Sequence, residues 1–306
     1  MEIIINDERI DFTLENERTL GEVLEALESW LGRSNFVVTS VQMDDRELSE
    51  TSRNQLVDTP FDEIKTLRVS AELVREVQAS SVETLLEYFG LFASALESND
   101  ERNLQPLLAG RRDMVVTLNT LLRPSPDGVL ARNITELNQL LTGSSAEAAL
   151  AWPEGVRSRF FELVGSVRER LKLRLQEISN PMKAFADARM DMDRMREELG
   201  RVSVLLQTNE EKRAMETIVE FTDLSNRLLR ILSDLGDSGK VEIDRYRIGD
   251  QDVRMFFDGL NGVLRELIEA FQIEDFVLIG DLVEYEIVPR LEMFSGFTRE
   301  IESGTD

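Results

Sequence analysis

Ile3, Ile4 and Ile5 lead into Asn6-Asp7-Glu8, after which Ile10, Phe12 and Leu14 alternate with polar residues. Successive side chains on a strand point to opposite faces, so this alternation predicts two strands joined by a tight turn, with one face buried. Thr19 with Glu22 three positions later forms a capping box and opens a helix. Its apolar stripe is Leu20, Val23, Leu24, Leu27, Trp30 and Leu31, and Gly32 ends it. Phe36 to Met43, rich in valine, reads as a third strand. The turn Asp44-Asp45-Arg46 precedes Leu48, Pro60 and Phe61 sit in a loop, and Leu67-Arg68-Val69 forms a last strand.

Beyond about residue 70 the apolar period lengthens from two to about 3.6, the repeat of an α-helix. One helix carries Val74, Val77, Val82, Leu85, Leu86, Phe89, Phe92 and Leu96, and a second is expected from about 102 to 122. Pro124, Pro126 and Asp127-Gly128 break the chain. A short helix follows at about 131 to 141, and Gly143-Ser144-Ser145 is a loop. Pro153 then starts a long helix through Ile178, and Asn180-Pro181 caps and opens the next, which is expected to continue to Leu206. Further helices are expected at about 210 to 235, 250 to 271 and 275 to 294, with a short extended piece at Val241 to Ile243. The expected fold class is therefore α+β. A small β-rich domain over residues 1–70 precedes a large all-α antiparallel bundle or array over 71–306, with a possible subdivision near 123–153.

The strand, strand, helix, strand, strand order of residues 1–70 resembles the β-grasp, or ubiquitin-like, superfold. Modifiers and sulfur carriers of that kind end in a free Gly-Gly whose carboxylate is activated. Here Val69 runs directly into Ala71-Glu72-Leu73 with no Gly-Gly nearby, so the resemblance implies an interaction module and not a carrier.

Composition narrows the chemistry. The 306 residues carry a formal charge of −24, a field that repels phosphate and anionic lipid and argues against nucleic-acid or membrane partners. A basic protein partner fits it better, although an acidic surface also serves solubility alone. Cysteine and histidine are absent, which removes disulfides, thiolate nucleophiles, imidazole bases and the common zinc ligands. No cofactor and no catalytic metal are expected. Only five lysines stand against 30 arginines, and the bidentate guanidinium favours ion-pair networks and interfaces. The start, MEIIINDER, has no basic region or long apolar run, from which a cytoplasmic location is expected.

Several motifs fail on their own chemistry. Asp187 and Asp191 share a helix face, but Arg189, Arg194 and Arg196 are interleaved with them and would neutralise them. Ser238-Gly239-Lys240 lacks the glycine and hydroxyl positions of a phosphate loop, and a calcium loop read from Asp234 places Arg245 where a glutamate is needed. Trp152, Phe256 and Phe257 are expected as core anchors. Met182, Met190, Met192 and Met195, with Phe185, spread over more than one helical face and are the nominated interface, expected as a dimer surface, because methionine adapts to irregular partners. Arg111-Arg112 is an isolated basic pair in an acidic chain and the second contact candidate.

The function expected from these features is non-enzymatic protein–protein interaction or scaffolding, with self-association as a homodimer. The alternative is an adaptor or assembly chaperone that holds a basic or hydrophobic client. A carboxylate-dependent enzyme is the minor alternative.

Overall fold

The computed structural model describes residues 2–10, 17–124, 128–238 and 241–304. Phe12 and Leu14, Pro126 and Asp127, and Gly239 and Lys240 lie outside those residues. The chain is α+β, with a small N-terminal β-sheet domain followed by a large helical array. It divides into two compact units, Met1–Ser80 and Ser81–Asp306.

In the first unit β1 (Glu2–Ile5) and β2 (Glu8–Ile10) form a hairpin, and α1 (Leu20–Gly32) follows. Then come β3 (Phe36–Met43), β4 (Arg46–Glu47), α2 (Glu50–Leu56) and β5 (Thr66–Leu73). Asn6, Asp7, Asp44 and Asp45 all have positive φ, the geometry that two-residue hairpins require and that Asn and Asp tolerate best. Both turns are also tied to β5. The Asn6 amide exchanges two hydrogen bonds with the backbone of Ala71, and Asp44 accepts from the amides of Lys65 and Thr66. The five strands lie in the order β2-β1-β5-β3-β4, with β1 parallel to β5 and the other pairs antiparallel.

Thr19 and Glu22 make the reciprocal bonds of a capping box. Leu20, Val23, Leu24, Leu27 and Leu31 of α1 are buried with Ile3, Ile5, Val41, Leu67 and Val69 of the sheet. Trp30, expected in that stripe, stands at its margin and is 44% exposed. The helix α2 has no apolar periodicity. It rests on its N-cap, where Ser49 accepts from the amide of Ser52.

The second unit is built from α3 (Val74–Glu97), which begins in the first, and then α4 (Glu101–Ala109), α5 (Arg111–Leu122), α6 (Val129–Leu141) and α7 (Ala146–Leu150). The long α8 (Glu154–Ser179) leads to α9 (Pro181–Leu199), α10 (Val202–Gln207) and α11 (Glu211–Asp237). A hairpin of β6 (Arg247–Ile248) and β7 (Gln251–Asp252) precedes α12 (Val253–Gln272). Last come α13 (Phe276–Asp281), a π-helical turn over Leu282–Ile287, and α14 (Val288–Gly304).

Two expected helices are each a pair. The segment expected from 102 to 122 divides at Gly110, where ψ is −1°. Pro106 lies inside α4 and lacks the N–H that would bond back along the helix, so the ladder is already weak there. The segment expected from 181 to 206 divides at Gly200-Arg201, where glycine offers little helical preference. The expected extended piece at 241–243 is instead a 3-10 turn at Ile243–Arg245, and the strands lie just after it. Their turn is made by Gly249, with φ of 61°.

Rings organise the packing. Phe92 lies 5.0 Å from Phe160, against which half-buried Trp152 also packs. Nearer the C-terminus Phe256, Phe257, Phe294 and Phe297 interlock with centroids 5.5 to 6.2 Å apart. Arg157 donates to the carbonyls of Leu96 and Leu150 and to Asn99, so one side chain covers the C-terminal ends of α3 and α7.

Candidate functional site

Two arrangements in the helical unit go beyond packing. The first is a buried ion-pair clamp. Arg174 and Glu177 stand one turn apart on α8, and Arg227, Arg230 and Asp234 lie along one face of α11. Glu177 is 1% exposed and Arg174 3%. The Glu177 carboxylate accepts from Nε of Arg227 at 2.9 Å and from Nε of Arg230 at 3.1 Å. Arg174 holds Asp234 in a fork, with Nη2 to Oδ1 at 3.1 Å. Arg227 also reaches Asp191 of α9 at 3.2 Å, and Nη1 of Arg230 donates to the Leu122 carbonyl at the end of α5 at 2.8 Å. Burial pulls the Arg230 guanidinium below its ordinary pKa, while Glu177 opposes that shift. Arg174, Arg227 and Arg230 are thus met by Glu177, Asp234 and Asp191, and the network joins four helices. Its recess, lined by Leu122, Arg123, Leu130 and Asp223 among others, has a volume of about 40 Å³. That is room for little more than a water molecule. Burial pushes the Asp223 carboxyl up there, partly offset by Arg170 and Arg132. The arrangement can position helices, and its recess is too small for a metabolite.

The arginine excess expected to serve ion-pair networks does so here, but the identity of the paired positions was not visible in sequence. The acids near residue 190 follow the same logic. Asp191 pairs with Arg194 and Arg227, and Asp193 with Arg189. Among the described residues no group of three or more Asp or Glu side chains is placed to hold a metal ion.

The methionine helix is divided by the fold. Phe185, Met192 and Met195 are buried in the core shared by α9 to α14, and Met182 packs against it partly buried. Met190 faces away, 58% exposed. The structure therefore does not bring the five together on one open surface. Arg111 and Arg112 also part. Arg111 donates to the Leu108 carbonyl at 2.8 Å and lines a groove of about 290 Å³ with Glu101, Ser145 and Glu147, whereas Arg112 is exposed.

Close to Arg111 the Tyr88 hydroxyl donates to the Leu107 carbonyl at 2.7 Å. Burial pushes its pKa from 10.0 up to about 12, against the pull of Arg111. The folded phenol stays neutral where the unfolded one ionises, so this contribution is complete below pH 10 and is lost as pH rises towards 12. Allowing for partial exposure, the loss is about 1–2 kcal/mol. Urea midpoints at pH 9 and pH 11 should converge for Tyr88→Phe relative to the parent. An unchanged pH dependence would show that Tyr88 is not its source.

The second arrangement is a ridge near the C-terminus, which periodicity alone did not single out. Ile273 is 72% exposed, Val277 75% and Tyr285 66%, with Leu278 and Met293 also open. Val277, Asp281 and Tyr285 follow at four-residue intervals and so rise along one side of the helix. The π-helical turn at Leu282–Ile287 adds an extra residue to the turn, and both Glu284 and Tyr285 are left outward. From Glu266 to Pro289 there are seven acidic residues and no lysine or arginine. Glu274, Asp281 and Glu284 make no ion pair among the described residues.

The turn before this helix is a Schellman motif: the amide of Asp275 donates to Ala270 and that of Glu274 to Phe271. The same pairing closes α3 and α10, with Asn99 and Asn209 at the left-handed position. Here that position is Glu274, with φ of 55°, a choice that costs about 1 kcal/mol relative to a residue suited to it. The signal available in sequence was an apolar run, Phe276 to Ile279, directly after an acidic pair. It also fits a buried helix start.

Two known family models match parts of the chain. Residues 1–72 match the family model described as TP0873 N-terminal domain, and residues 187–296 match a domain of unknown function, DUF8042. The first coincides with the β-sheet domain and the second contains the ridge. No curated protein and no solved structure matches the chain. No helix among the described residues is long and apolar enough to cross a membrane.

Proposed function

We propose that this chain is a non-enzymatic interaction or scaffold protein, whose helical unit presents the Ile273–Tyr285 ridge to a partner. The observation that carries the reading is the exposure of Ile273, Val277 and Tyr285 over the turn before α13, α13 itself and the π-helical turn that follows it. Single exposed apolar side chains are ordinary, but a row of them rimmed by polar groups marks an interaction surface. The π-helical turn beneath Tyr285 supports the same reading, because such turns are frequent at functional sites.

The β-sheet domain is read as a β-grasp-like module that folds independently. Its strand order, with β5 central and parallel to β1, supports that resemblance. A fragment of residues 1–80 is expected to give dispersed amide resonances, and a collapsed spectrum would reject independent folding.

The interaction reading is tested by a photo-reactive benzoylphenylalanine placed at position 277 in the native host. A discrete higher-mass adduct is expected there, and not from the same group at exposed position 83. Equal yields from both positions, or none from 277, would reject it.

A further inference from the structure

We infer that the ridge binds a basic amphipathic segment of a partner protein, whose apolar side chains cover Ile273, Val277 and Tyr285 while its lysines or arginines meet the acidic rim. This rests on the interaction reading above and adds the chemistry of the partner. The warrant is charge complementarity. Glu274, Asp281 and Glu284 interleave with the apolar residues, have no cationic partner of their own among the described residues, and lie in the stretch from Glu266 to Pro289 that has no base. A partner with an acidic or neutral rim would desolvate these carboxylates without compensation, whereas a basic one pairs with them and is steered in by the field. Glu274 strengthens the case. The two turns with the same hydrogen-bond pairing, at Asn99 and Asn209, use asparagine at the left-handed position, whereas the turn bordering the ridge has a carboxylate there.

The test uses the full chain and two synthetic dye-labelled peptides, each of roughly 18 residues to span about five helical turns. One carries leucine and lysine at helical spacing, and the other has glutamate in place of every lysine. Anisotropy should show saturable binding of the basic peptide and none of the acidic one. Val277→Ser with Tyr285→Ser should weaken it about tenfold or more, as for central apolar anchors. Asp281→Asn with Glu284→Gln should weaken it about tenfold, and rising salt should weaken it further. Glu83→Gln with Glu154→Gln changes the net charge equally on exposed residues elsewhere and should cost less than about twofold. Glu274→Asn should raise the melting midpoint by about 2 °C yet weaken binding, separating the charge from the fold.

Equal affinity for the two peptides, or equal losses from the ridge and control pairs, would overturn the inference. So would a native dimer that the Val277 and Tyr285 changes dissociate, because a second copy would then be the occupant. An adduct from position 277 without peptide discrimination would reject the basic partner alone. Discrimination without any adduct would reject the proposed physiological interaction instead.

Discussion

Glu177→Ala is expected to destabilise the helical unit by about 3–5 kcal/mol, the cost of breaking a buried charge pair from one side. Glu177 is the centre of the clamp: Arg227 and Arg230 both bond its carboxylate, and Arg174 lies 3.5 Å away. Its removal leaves those guanidiniums facing one another in a site with little room for water, where Asp234, Asp191 and the Leu122 carbonyl remain as partners but the shared central carboxylate is gone. Domains are stable by only about 5–15 kcal/mol in total, so this is a large fraction. For a unit of this size the melting midpoint should fall by about 6–20 °C. Replacing Arg230 as well should recover part of the loss, and a double-mutant cycle should return a coupling of about 1–3 kcal/mol. Denaturant unfolding of the four proteins checks both numbers. A single-mutant loss below about 1 kcal/mol would mean that the clamp opens to solvent and is an ordinary surface network.

Phe185→Ala is expected to cost about 3–5 kcal/mol, while Met190→Ala, five residues along the same helix, should change stability by no more than about 0.5 kcal/mol. Phe185 is fully buried where α9 packs on α11 and on α14, so truncation removes ring contacts and leaves a cavity that close-packed helices fill only in part. Met192→Ala should fall between them at about 2–4 kcal/mol, since Met192 is 5% exposed. Met190 is 58% exposed, so its truncation uncovers little buried surface. Chemical unfolding of the three variants decides the matter. A small effect at Phe185 with a large one at Met190 would mean that α9 is rotated from the orientation described above. The series also separates core from surface within the methionine group, which residue type alone does not.

Local features were the most legible part of the fold. Thr19 with Glu22, Asn180 with Pro181 and the change of period act through neighbouring backbone, so sequence spacing reports them directly. The clean α1 stripe and the valine-rich β3 were readable for the same reason. Short elements were not: α2, α7 and the β6–β7 hairpin span too few residues to establish a period. Breaks at Gly110 and Gly200 were missed because the apolar rows on either side continue in nearly the same phase. Of the candidate sites, the arginine excess pointed to ion-pair networks but could not name their members. Glu177 is separated by 50 and 53 positions from Arg227 and Arg230, and no local rule connects them.

By itself the sequence determined that the chain is acidic, that it lacks thiol and imidazole chemistry, and that a β-rich start gives way to amphipathic helices. These follow from composition and from periods of two and about 3.6, which depend on backbone geometry alone. Only the tertiary structure decided which apolar residues are covered. Met192 and Val277 carry the same kind of sequence signal, yet one lies between packed helices and the other stands in water. A helix has several faces that could be buried, and how many are depends on the neighbours that fold against it. The clamp and the ridge are both products of that choice: on one side charges are enclosed because helices close over them, and on the other apolar groups stay open because none does.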